Sequence, residues 1–190
     1  PTGLRENSVQ ISALESADLN AFAADEITAL SATQLASLKT SQINNLSTEL
    51  LTALTSAQVK MLTTAQVIKV TTDQFNNMLS DQVKELTTAQ VTAMGTAQLS
   101  KLGSDLLSAI TSTQFAKLSS AQINNLTTAQ LASLTSDQMS GLSSAQLSTI
   151  TTANFAKLSN DVIGNLSTAQ LQGLTTAQVV GLTTDQADAL

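Results

Sequence analysis

Histidine, cysteine, tryptophan and tyrosine are missing altogether from this 190-residue sequence, and charged residues make up only 12% of it. Each absence removes a class of function. Without cysteine there is no disulfide and no thiol chemistry. Without histidine as well, nucleophilic catalysis of the Ser-His-Asp or Cys-His kind has no base, and a zinc site loses its preferred ligands. The net charge of −6, with eight scattered basic residues, argues against a nucleic-acid partner, which needs a basic stripe. It argues equally against binding to anionic lipid. No apolar run approaches the ~18 residues of a membrane span, so no membrane insertion is expected. There is no Gly-rich phosphate loop and no Asp-rich calcium loop. No signal peptide is visible, and the start at Pro1 in place of Met fits a processed chain or a piece of a longer one. The catalytic, cofactor-binding and metal-binding sets are therefore expected to be empty, and the chain is not expected to be an enzyme.

What is present is abundant and regular. Apolar residues reach 42%, enough side chain to bury, so a folded chain is expected. From Asn7 to Leu190 the sequence divides into 23 octads without one insertion or deletion. Residues 63–70 (Thr-Thr-Ala-Gln-Val-Ile-Lys-Val), 127–134 (Thr-Thr-Ala-Gln-Leu-Ala-Ser-Leu) and 175–182 (Thr-Thr-Ala-Gln-Val-Val-Gly-Leu) are typical. Numbering each octad from one to eight, positions five and eight are apolar in all 23 units, Ala187 being the smallest of them. Position four is Gln in 17, position one is Ser or Thr in 16, and position two in 20. The unbroken register leaves no room for a linker, so one elongated domain is expected over 7–190, preceded by a lead-in at 1–6. The octads within 7–30 are degenerate and are expected to act as an N-terminal cap.

A period of eight fits neither a continuous helix nor a strand. Eight residues advance an α-helix by about 800°, roughly 80° past two turns, so the apolar stripe would spiral around a single rod. In a strand, positions five and eight would point to opposite faces. The chain must therefore change direction once per octad. Ser or Thr at position one, with Gln three residues later, is a capping box. The preceding position eight and the following position five have the spacing of a hydrophobic staple. Position two is the alternative cap, but only position one explains the Gln. Asn or Gly at position seven, as at Asn45, Asn77, Gly141 and Gly173, suits a helix exit.

Each octad thus reads as a helix of about six residues and a corner. Such a helix is too short to stand alone, so neighbouring units must supply the packing, as in a solenoid. Acids at position three recur 24 residues apart, at Asp25, Glu49 and Asp73 and again at Asp137, Asp161 and Asp185. That spacing points to about three octads per superhelical turn. The fold class expected is an all-α solenoid of 23 eight-residue repeats with one short helix in each.

The Gln series is the most specific feature. It reads as capping plus ladder bonds between adjacent coils, against the alternative of a ligand-binding polar ladder. A hydroxyl array of the ice-binding kind is the other use for the Thr and Ser rows, but capping already consumes those hydroxyls. The pairs Asp25 with Glu26 and Glu15 with Asp18 read as charges at helix starts. Phe75, Phe115 and Phe155 at position five read as core. Lys69, Lys101, Lys117 and Lys157 at position seven read as a solvated fringe.

The unit Leu-Thr-Thr-Ala-Gln-Val, followed three residues later by an apolar residue at 62–70 and 86–94, resembles the octapeptide arrays of large bacterial secreted or surface-associated proteins, adhesin-like ones among them. The resemblance covers 7–190 and implies an extended stalk or scaffold without catalysis, placed outside the cell or at its surface. Low lysine with abundant Thr, Ser, Asn and Gln agrees with that location. No cap comparable to 7–30 follows Leu190, so the partners expected are adjacent repeats of a longer chain or a second copy, giving a homo-oligomer or filament. The alternative is a binding module for a protein or glycan. For that reading, Lys60-Met61 and Lys84-Glu85 are the candidate surface departures at positions six and seven.

Overall fold

The computed structural model describes residues 7–190, and the lead-in expected over 1–6 lies outside the described residues. They form 23 short α-helices, from Ser8–Ala13 to Thr184–Asp188, and no strand. One helix falls in each octad and starts at position two. The N-cap is position one throughout, from Asn7 to Thr183, with extended backbone such as φ −70° and ψ 156° at Thr63. Position two is therefore the first helical residue, and the Gln at position four is the third, as a capping box requires. The corner consists of two consecutive extended residues. Leu46 at position eight has φ −63° and ψ 136°, and the next N-cap, Ser47, has φ −61° and ψ 149°. Any L-residue adopts such angles, which is why the array turns without proline.

The helix exit uses Asn and Gly for different reasons. Asn at position seven caps a helix carbonyl: Asn45 Nδ2 donates to Ser41 O at 2.9 Å and Asn77 Nδ2 to Asp73 O at 2.8 Å. Gly does not supply the left-handed conformation that the sequence suggests, because no described residue has positive φ. It supplies room. A Cβ on Gly141 would lie 2.5 Å from the Ser112 carbonyl oxygen, and one on Gly181 2.3 Å from Thr152 Cγ2. These contacts join position seven of one octad to position two of the third octad before it. Gly141→Ala is accordingly expected to cost about 1–3 kcal/mol through overpacking, measured by denaturant unfolding. Gly95→Ala, where the nearest atom to the new Cβ is 3.8 Å away, is the control with little overpacking.

The chain divides into two compact units, Pro1–Met94 and Gly95–Leu190. Within each, helices pack on the third one along. In the first unit Ser8–Ala13 packs on Ala32–Ser37, and Thr40–Asn45 on Thr64–Lys69. In the second Ser112–Phe115 packs on Ser136–Ser140, and Asn160–Gly164 on Thr184–Asp188. Each unit is a solenoid, as the octad pattern predicts. Position five fills its interior: Ile11, Leu19, Leu51, Leu107 and Phe115 are fully buried, with Phe75 and Phe155 almost so. Position eight closes the corners, as Leu54, Ile110 and Leu118 do.

Candidate functional site

The most elaborate chemistry in the molecule is the row of buried carboxamides. Gln66 is typical. Its Oε1 accepts from the N–H of Thr63 at 2.8 Å, while Thr63 Oγ1 accepts from the N–H of Gln66 at 3.2 Å. That completes the capping box within one octad. Its Nε2 then crosses to the octad four units earlier, donating to Leu35 O at 2.9 Å and Leu38 O at 2.8 Å. Gln74 repeats this on Ile43 O and Leu46 O, and Gln90 on Val59 O and Leu62 O. In the second unit Gln130 holds Leu99 O and Leu102 O, and Gln178 holds Leu147 O and Ile150 O. Both ends of each carboxamide are satisfied in a buried position, where an unpaired polar group is costly.

This clamp refines the pitch. Helices pack three octads apart, while the carboxamides reach the fourth, so a turn closes between the third and the fourth unit. The position-four carbonyl and amide thus tie the backbone corner of one turn to that of the next. Where position four is Leu50, Leu106 or Val162, the side chain is buried but brings no polar atoms. Asn154, one carbon shorter than Gln, reaches Asn124, donating to its backbone O at 2.9 Å and to its Oδ1 at 3.3 Å.

A second series of cross-turn bonds was not anticipated from the sequence. Asn at position six donates to the octad three units later: Asn20 to Asn45 O at 2.8 Å, Asn44 to Lys69 O at 3.0 Å and Asn124 to Thr149 O at 2.9 Å. Asn20 Oδ1 also accepts from the N–H of Ser47. The available signal was Asn recurring at a position otherwise filled by small or variable residues.

The other sequence candidates fall as follows. Asp18 and Glu26 sit at position four and accept from the backbone N–H of Glu15 and Ala23, at 3.4 and 2.9 Å. They are helix-start charges, as expected, and Asp25 is exposed in the same first turn. Among the described residues no three acidic, histidine or cysteine side chains gather as a metal would need. Lys69, Lys101, Lys117 and Lys157 are exposed. Lys60 and Glu85 come together in an ion pair of 3.4 Å on the surface, beside the half-exposed Met61. Exposed pairs of this kind add ~1 kcal/mol or less. An open hollow of about 560 Å³ lies between Met61 and the small side chains of Ala32, Ala36 and Ser37. No helix among the described residues is long and apolar enough to cross a membrane.

One octad breaks the capping rule in an instructive way. Leu79 occupies an N-cap, stands 58% exposed and offers no acceptor, although Gln82 still accepts from its N–H at 2.8 Å. Leu79→Thr is expected to raise stability by about 1 kcal/mol by restoring the missing half of the box; unchanged denaturant midpoints would count against the capping account.

Short helices of four to six residues, a repeated capping box and a carboxamide clamp to the preceding turn define an α-solenoid repeat protein. The chain belongs to the ALTTAQ repeat family, whose pattern matches residues 11–48, 107–144 and 161–190, more than half of the sequence. Comparison with curated proteins gave no match.

Proposed function

We propose that the array is a structural spacer of the bacterial exterior, a stalk or adhesin segment whose task is to hold distance and transmit load. The observation that carries this reading is the uniformity of the Gln clamp: the same buried donors meet the same carbonyls in turn after turn. A ligand site needs a local departure from the repeat, whereas a spacer needs every unit to bear alike. The missing His and Cys and the scattered charge agree with a role without catalysis. The resemblance of the octad to those of secreted and surface-associated proteins supports the location. Single-molecule pulling tests the idea. Extension is expected in small reversible steps of one turn, three to four octads, since each turn is clamped separately to the one before it. One all-or-none rupture of a whole unit would defeat it.

A binding module is the second reading, favoured by one feature: the Lys60–Glu85 pair beside exposed Met61. It requires saturable binding of a protein or glycan that Lys60→Ala, Met61→Ala and Glu85→Ala together abolish.

A further inference from the structure

Four octads carry asparagine at position seven: Asn45, Asn77, Asn125 and Asn165. After three of them the next octad opens with a hydroxyl, at Ser47, Thr127 and Ser167, and the residue between is leucine. These corners read Asn-Leu-Ser or Asn-Leu-Thr, the acceptor pattern for N-linked sugar, whose middle residue is anything but proline. No other asparagine of the chain has Ser or Thr two residues on. Asn44 and Asn124, at position six, fall out of the pattern because position eight is apolar. Asn77 falls out because Leu79 stands at the next N-cap.

The fold presents all three carboxamides outward. Asn45, Asn125 and Asn165 are exposed. Nδ2 of each donates one N–H to the carbonyl four residues back, Ser41 O at 2.9 Å, Ala121 O at 2.8 Å and Asp161 O at 2.7 Å. A carboxamide nitrogen carries two such hydrogens, and the second meets no acceptor among the described residues. That position on nitrogen can take a substituent while the helix cap stays intact. The hydroxyl two residues on is turned the other way, into the next helix. There Ser47, Thr127 and Ser167 accept from the N–H of Leu50, Gln130 and Gln170. A transferase that reads asparagine and hydroxyl together therefore meets them before the corner has folded, and the folded array carries the sugar on its surface.

We propose that Asn45, Asn125 and Asn165 are sites of N-glycosylation. The donor is a sugar linked through C1 to a diphosphate carrier. The bond between C1 and the phosphate oxygen breaks, C1 bonds to Nδ2, Nδ2 releases one proton, and the carrier leaves with the bonding pair. The proposal agrees with the exterior location but needs no load-bearing, so the outcome of pulling leaves it untouched.

Fragment-ion mass spectrometry of the full chain, isolated from the cells that make it, is the test. A hexose or N-acetylhexosamine mass is expected on Asn45, Asn125 and Asn165, and on none of Asn44, Asn77 and Asn124. Bare asparagine at any of the three sites, or sugar on Asn44 or Asn124, overturns the proposal. Two variants made in the same cells separate the three-residue pattern from exposure alone. Ser47→Ala should remove the sugar from Asn45 and from no other site. Leu79→Thr should add sugar at Asn77, which is exposed and caps its helix in the same way. Sugar retained on Asn45 in the first variant, or a bare Asn77 in the second, overturns the pattern. Glycosylated chain and chain made in a host without N-glycosylation should unfold at the same denaturant midpoint, because the cap uses the other N–H. A lower midpoint with the sugar attached overturns that placement.

Discussion

Gln66→Glu is expected to destabilise the first unit by about 3–5 kcal/mol at neutral pH, although it changes one NH2 to oxygen. The side chain is 1% exposed. The acceptor half of its role survives, because either new oxygen can take the Thr63 N–H. The donor half inverts, since carbonyl oxygens of Leu35 and Leu38, now 2.9 and 2.8 Å from an amide nitrogen, would face a carboxylate. Burial and those two oxygens push the ionisation of the introduced carboxyl above the usual carboxylate range. The folded state then keeps a proton that the unfolded chain releases. Stability therefore falls as pH rises from about 4.3, the unfolded value, up through the raised folded value, and levels off beyond it. The deficit should be smallest in acid. Denaturant melts across that range check both size and sign. Gln10→Glu is the internal control: Gln10 is exposed, and its Oε1 accepts from the Asn7 N–H, so a change within about 0.5 kcal/mol is expected. Equal costs at Gln10 and Gln66 would show that the clamp contributes nothing beyond capping.

The second large effect is a contrast between two chemically identical substitutions. Leu131 and Leu171 occupy position five of closely similar octads, in the helices Thr128–Ala132 and Thr168–Gln172. Leu131 is 1% exposed, while Leu171 is only partly covered. Leu131→Ala is expected to cost about 2–5 kcal/mol, as truncation in a packed core does. Leu171→Ala should cost about 1 kcal/mol or less, because a side chain already partly exposed leaves little cavity when it is shortened. Unfolding monitored by circular dichroism gives the comparison. Similar costs would mean that burial does not set the contribution of the position-five side chain.

Much of this architecture was legible because its determinants are local. The N-cap at position one follows from the three-residue spacing between hydroxyl and Gln, for instance Thr127 and Gln130, which only one helix start can satisfy. The burial of Phe75, Phe115 and Phe155 follows from their place in an apolar register without exception. Asn45 and Asn77 act at the helix exit as their position predicts. The reason for Gly at position seven, as at Gly141 and Gly181, is not local. Their own backbone is ordinary, and the constraint is an atom of a helix some 29 residues away. Asn20, Asn44 and Asn124 escaped notice for the same reason, since their partners lie 25 residues on.

The amino-acid sequence by itself determined the octad, its cap, its two buried positions and the need for neighbours, since all of these follow from spacings of eight residues or fewer. The tertiary structure alone decided which carbonyls each Gln amide meets, and hence that a turn closes between the third and fourth octads. It alone revealed that position four reaches back to the preceding turn. The reason is physical: an octad's sequence fixes the angle of its corner only loosely, and small angular differences accumulate over several corners. The partner reached one turn away is therefore set by how successive turns pack and satisfy their buried polar groups.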